Sequence, residues 1–267
     1  MNAPHPRPSI MRGTATPDVK QWTGIAGIVT AILMSAEFIV REVMGARPEL
    51  EDADALGHFM ARAADATLTI ILIDTILMAT LIVFISGFRQ IITHARKDLQ
   101  WVADIGFAAG LAFVAITMVG DAMEAGAALD TVGPTPDPSV IRALTEGHMV
   151  MFGATGCVLL ALASASSGYV ILASGVLPRW TGWIAYAVGL SNLVAIPSLF
   201  GGTSDTAFFS AGGTGVAMIA TFPWLVWVTT VALVTIRGPR TVAIRKHQQF
   251  HGSTEAEAAR AVAASQA

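Results

Sequence analysis

Eight ionisable groups stand in or beside long apolar runs: Glu37, Arg41, Asp74, Asp104, Asp121, Glu124, Glu146 and His148. A charged side chain near the centre of a membrane-crossing helix costs about 2.5–3.5 kcal/mol, so such a group is kept for pairing or for function. Helical spacing sorts them by face. Glu37 and Arg41 are four residues apart and can pair on one face, and Asp121 and Glu124, three apart, also share one. Thr67 precedes Asp74 by two helical turns, which draws a thin polar stripe along that segment. Glu146 and His148 are two apart, about 200° around a helix, so at most one looks inward unless Gly147 breaks the turn.

Depth follows from a rise of about 1.5 Å per residue. Asp74 falls about 4–5 Å from the midpoint of its apolar run, and Glu37 about 7 Å from the midpoint of its own. Arg41 and Asp121 fall near the rim on that same side, with Glu124, Glu146 and His148 at or beyond it; Asp104 alone is on the other side. A candidate ion- or solute-binding set therefore comprises Glu37, Arg41, Asp74, Asp121 and Glu124, with Glu146 and His148 at its rim. In one reading Arg41 neutralises Glu37 or Asp74, the other carboxyl is protonated and hydrogen-bonded, and the rim acids face water. In a second, Glu37 and Asp74 face each other at similar depth and hold a proton or a cation between them, because two close carboxylates do not both ionise cheaply. The second suits a proton- or cation-linked transporter; the first suits a non-catalytic scaffold or sensor whose charges hold the helices together.

Enzyme chemistry has weaker support. Asp, Glu and His can bind a metal, but only His148 lies near an apolar run on this side and no HExxH is present. The lack of a second such histidine argues against bis-histidine haem, and no cofactor is expected. "ASSG" (165–168) has no histidine in a later run to serve as its base. The metal question stays open, and no residue is assigned a catalytic role. The single cysteine, Cys157, can form no internal disulfide and reads as a packing residue.

The elements that must position these groups are read from composition. The chain is 54% hydrophobic and 13% charged, about half the charge of a soluble domain. Six runs near 22–43, 66–88, 102–122, 148–174, 182–200 and 214–236 are long enough to cross hydrocarbon as helices. They lack the alternation of a membrane barrel. The fold expected is an all-α, polytopic bundle of six transmembrane helices, bounded by a disordered leader (1–21) and a basic, then alanine-rich tail (237–267). The leader is long and proline-containing. The run after it has the length of a span rather than of a signal-peptide core.

Basic residues set orientation. Arg7, Arg12, Lys20, Arg89, Arg96, Lys97, Arg179, Arg237, Arg240, Arg245, Lys246 and Arg260 fall on one side, and only Arg41, Arg47, Arg62 and Arg142 on the other. Trp22, Trp101, Trp180 and Trp183 open spans on the basic side. Both termini are therefore expected in the cytoplasm, with the protein in the plasma membrane. The partners expected are the lipid bilayer and a proton, cation or small solute. Oligomerisation is left open. No basic stripe with interleaved aromatics supports nucleic-acid binding.

In the connections, Leu50 to Arg62 reads as a short interfacial helix within an acidic loop. Asp137 before Pro138 reads as an N-cap with proline at the first helical position. The loop 201–215 is glycine-rich and expected to move. Gly106 and Gly110 in "GFAAG", and the small residues of "ALASASSG" (161–168), read as helix-packing surfaces. Pro197 and Pro223 should bend the last two spans.

The stretch "SGVLPRWTGWIAYAVGL" (174–190) and the first span "GIAGIVTAILMSAEFIVRE" resemble six-span bacterial membrane proteins of the domain-of-unknown-function type, in which such a turn opens the fifth span. The resemblance implies a multi-pass membrane protein and supplies no activity or catalytic residue. Physically, Pro178 turns the chain, while Arg179 and Trp180 anchor it at an interface.

Overall fold

The computed structural model describes residues 18–133, 135–204 and 207–237; the leader to residue 17 and the tail from 238 lie outside the described residues. Among these the chain is helical, with no strand. Helix α1 spans Val19–Met44 and α2 Ala53–Ala95. A 3-10 turn, Lys97–Leu99, leads into α3, Gln100–Thr131. Next come α4 (Pro138–Val150) and α5 (Gly156–Ser174), joined through a π turn at Met151–Thr155, and then α6 (Arg179–Ala195). A 3-10 turn at Ile196–Phe200 precedes α7 (Thr214–Val216), a π turn at Ala217–Thr221, and α8 (Phe222–Arg237). Taken through their joints, these make six helices long and apolar enough to cross a membrane, the architecture of a multi-pass membrane protein.

Lipid tails are as apolar as leucine, so close packing rather than hydrophobic exclusion must join the helices. Small residues permit it. Gly168 of α5 faces the Gly182 carbonyl of α6. The "GFAAG" glycines serve two neighbours, Gly106 lying against Ser166 of α5 and Gly110 against Ile85 of α2. Trp227 meets Phe84 and Phe88 edge to face at 6.2–6.4 Å, and its indole N–H donates to the Thr181 carbonyl at 3.1 Å. Gly24 meets Ile236, so α1 begins where α8 ends, at what is here named the termini end. There the "SGVLPRW" turn links α5 to α6: Gly175 adopts φ 64° to close α5, conformational space that glycine enters without penalty. Trp22, Trp101, Trp180 and Trp183 are all exposed at this end.

The opposite, far end is built differently. Helix α2 has 43 residues, about 65 Å at the helical rise, some twice a hydrocarbon core. The segment expected as a separate interfacial helix, Leu50 to Arg62, is instead mostly the first turns of α2, capped by Asp52, whose carboxylate accepts from the Ala55 N–H at 3.0 Å. The correction has a packing cause. Leu56, Phe59, Met60 and Ala63 bury against Ala127 and Ala128 of α3 and Ile141 and Met149 of α4, making a second core. An amphipathic segment that finds protein beside it need not lie on an interface. Asp137 caps α4 as expected, accepting from the Ser139 N–H at 2.9 Å with proline next in line. Its carboxyl is held below the usual carboxylate range by the Ser139 hydroxyl and backbone N–H.

The prolines act where expected. Pro197 sits in the first turn of the 3-10 segment, and the π turn at 217–221 ends two residues before Pro223. The break at Met151–Thr155 has no proline; Gly153 departs from helical geometry (φ −73°, ψ −107°) with the Ala211 carbonyl beside it.

Candidate functional site: a buried acidic cluster under an open cavity

The far end gathers the ionisable groups of α1 to α4. Arg41 Nε donates to Glu37 Oε1 at 2.7 Å, one turn away on α1, and Arg41 Nη2 lies 3.9 Å from Glu124 Oε2 on α3. Glu124 is the hub. Its Oε1 accepts from Arg47 Nη2 at 2.5 Å, and its Oε2 lies 3.1 Å from His148 Nε2 on α4. Glu124 and His148 are both buried, although their sequence positions suggested the rim. The extended α2, α3 and α4 surround them with protein where a bundle ending at the hydrocarbon boundary would have left water.

Below this layer the carboxyls crowd. Asp74 on α2 interacts electrostatically with Glu37 and with Asp121. Asp121 in turn feels Glu37, Glu124 and Arg41. Glu37, Asp74, Asp121 and Glu124 are all buried. Neither Glu37 of α1 nor Asp74 of α2 faces lipid, since both are buried. Asp121 and Glu124 share an inward face. Glu146 does not join them: half-exposed, it accepts from Arg142 Nε at 2.8 Å on the outside of α4. His148, about 200° around the helix, is the one that turns inward, as the spacing required. Asp104 pairs with Arg89 at 2.5 Å near the termini end.

Four carboxyls thus meet two guanidiniums and one imidazole. Even with His148 charged, the acids are in excess by one, and with His148 neutral by two. Several buried atoms here lack a hydrogen-bond partner: Oδ2 of both Asp74 and Asp121, the hydroxyls of Thr67 and Thr117, and Nε of Arg47. Buried polar atoms are ordinarily satisfied. Thr67 thus extends a polar stripe from Asp74, and Thr117 lies one turn from Asp121 on α3. No group of three or more His, Cys, Asp or Glu among the described residues is disposed to hold a metal ion.

No protein-family model, curated protein or solved structure matches the chain. Geometry alone must carry the functional reading.

The cluster forms one wall of an open cavity of about 570 Å³, within the range of small-molecule sites. Glu37, Arg41, Glu42, Arg47 and His148 supply its charged and titratable wall; Met34, Phe38, Phe152, Met218 and Phe222 are among the apolar groups facing them. Both helix breaks border it, through Gly153 and through Ala217 and Thr221. π turns inside helices gather at functional sites, and interrupted membrane helices are tolerated where they line a cavity. Residues 207–213 turn compactly on this side, with Ala211 N–H donating to the Gly202 carbonyl at 2.9 Å and Gly215 N–H to the Phe208 carbonyl at 2.9 Å.

Arg47 was missed from sequence, where it counted only as a loop residue. Gly45, at φ 80°, turns the chain back at the end of α1. Leu50 is buried in the second core, and Arg47 between them is pulled over Glu124. The available signal was a lone arginine between a glycine and a proline in an otherwise acidic loop.

Proposed function

We propose that this protein is a plasma-membrane transporter that moves a small solute or ion together with protons, through the cluster of Glu37, Asp74, Asp121 and Glu124. The observation that carries the reading is the charge imbalance: four buried carboxyls against two arginines and a histidine, beside a cavity. Excess buried carboxylate must be neutralised by a proton or a cation, because each uncompensated charge is costly away from water. A scaffold needs no such excess, since paired charges hold helices together equally well. Glu37 sits at the junction, lining the cavity and paired with Arg41, with Asp74 in its electrostatic field, so a proton arriving from the cavity has a route to the deeper acids.

The orientation belongs to the same proposal. Twelve of the sixteen basic residues fall on the termini side in sequence, and the exposed tryptophans cluster there. Both support cytoplasmic termini and a cavity opening outward. A reporter fused after residue 130 should read extracytoplasmic, and one after residue 245 cytoplasmic. The transport reading is tested in vesicles carrying the purified protein: an imposed gradient should drive proton movement that Asp74→Asn abolishes. Absence of flux under every gradient, with intact protein, would favour a scaffold or sensor.

A further inference from the structure

The donors and acceptors presented to the cavity are unequal. Glu37 is buried, and its carboxyl is engaged by Arg41; Glu42, one residue beyond Arg41, is an exposed carboxylate at the cavity's edge. Glu124 lies behind, engaged by Arg47, Arg41 and His148. The arginines have donors to spare. A guanidinium carries five N–H groups. Arg41 is 31% exposed and uses Nε on Glu37, with Nη2 only distantly on Glu124. Arg47 is 8% exposed and buries an Nε with no partner. A ligand in the cavity therefore meets unspent donors on Arg41, with Arg47 on the same wall and its unpartnered Nε buried behind it, and the matching head group is an anion.

The remaining walls fix its body. Met34, Phe38, Phe152 and Phe222 are apolar, and Phe38 of α1 stacks on Phe222 of α8 at 4.6 Å. Met218 and Phe222 line the cavity yet stand 61% and 39% exposed on the helical surface. That surface belongs to a helix apolar enough to cross a membrane, so the cavity has an apolar flank between α1 and the last span, where a hydrocarbon chain can lie.

We propose that the cavity binds an amphipathic organic anion, with a carboxylate or phosphate head on Arg41 and Arg47 and an apolar chain along Phe38 and Phe222, and that Glu37 takes up a proton as the head displaces it from Arg41. Ligand and proton then bind together, and the site's charge is unchanged. The charged and titratable groups around Glu37 and its cavity are Arg41 and the exposed Glu42 on α1, Arg47 in the following loop, Asp74 on α2, Asp121 and Glu124 on α3, and His148 on α4; the π turn and α8 bring no charged group to the cavity. The inference rests on the proton-linked reading of the same cluster.

The test is equilibrium binding to the full-length protein in nanodiscs of neutral lipid, with empty discs subtracted. The probes are decanoate, butyrate, decanol and decyltrimethylammonium. Decanoate should bind and the neutral and cationic probes should not. Its affinity should fall as pH rises, with proton uptake detected in weakly buffered solution. Arg41→Gln should weaken decanoate at least about tenfold, the cost of one charge-assisted contact. Glu37→Gln gives the sharper result, because it removes the competitor for Arg41: decanoate should bind more tightly and lose its pH dependence. Butyrate binding as well as decanoate would assign the head-group chemistry to a water-borne solute and overturn the apolar-chain part of the proposal. Equal binding of all probes, or weakening by Glu37→Gln in protein that stays folded, overturns the proposal. Arginine-dependent, proton-linked binding without any flux would uphold it and remove the transport reading. Flux without anion preference would do the reverse.

Discussion

The two ends of the bundle use similar residues to different effect. At the termini end, Arg89 meets Asp104 at 2.5 Å and Arg96 meets Asp98 at 2.7 Å, each one cation to one acid and each substantially exposed. At the far end the acids outnumber the bases, every carboxyl in the cluster is buried, and several polar atoms lack partners. Exposed one-to-one pairs contribute little to stability and suit an interface. A buried, unbalanced set contributes through whatever completes it. Ion pairs as such therefore say little about function in this chain; excess and burial together say more.

The contrast can be broken first at its hub. Glu124→Ala should cost about 3–5 kcal/mol, the penalty for leaving a buried partner charge uncompensated, seen as a large drop in thermal midpoint in detergent. A change no larger than that of a surface variant would mean that water already screens Arg47 and His148. Next in size, Leu56→Ala in the second core should cost about 2–5 kcal/mol and loosen the loop that carries Arg47, measured as faster amide exchange over 45–50. Unchanged exchange there would detach the loop from the core. Smaller still, Arg89→Ala at the termini end should leave the midpoint unchanged, and a clear loss would erase the distinction between the ends. Smallest is the pH effect at Asp137. Its carboxyl is held below the usual range by Ser139, so its capping contribution is present above the unfolded carboxylate value and fades as pH falls through the lower folded value. Asp137→Asn should flatten that acid limb in a pH series of α4 amide exchange.

Much of the frame was legible before any coordinates. The apolar runs marked all six long helices. Helical spacing separated Glu146 from His148, and Glu37 and Asp74, singled out as acids within apolar runs, are both buried. Four features were not legible, each because it depends on partners remote in sequence. The polar–apolar pattern of 50–62 fits an interfacial helix until α3 and α4 are known to extend alongside it. Glu124 and His148 looked like rim residues for the same reason. Arg47 reaches the cluster only because Gly45 reverses the chain and Leu50 anchors it. The break at Gly153 also escaped notice: a glycine in an apolar run ordinarily signals packing, and the loop carbonyl beside it comes from residue 211.

The most direct test of the central claim, that the acid excess handles protons, compares two carboxyl variants in one assay. Vesicles of wild type, Asp74→Asn and Glu146→Gln are loaded with a pH-sensitive dye and given the same gradient, with decanoate present and absent. Wild type and Glu146→Gln should move protons at the same rate, and Asp74→Asn should move none. Equal rates in all three, or a loss in Glu146→Gln alone, would contradict the account.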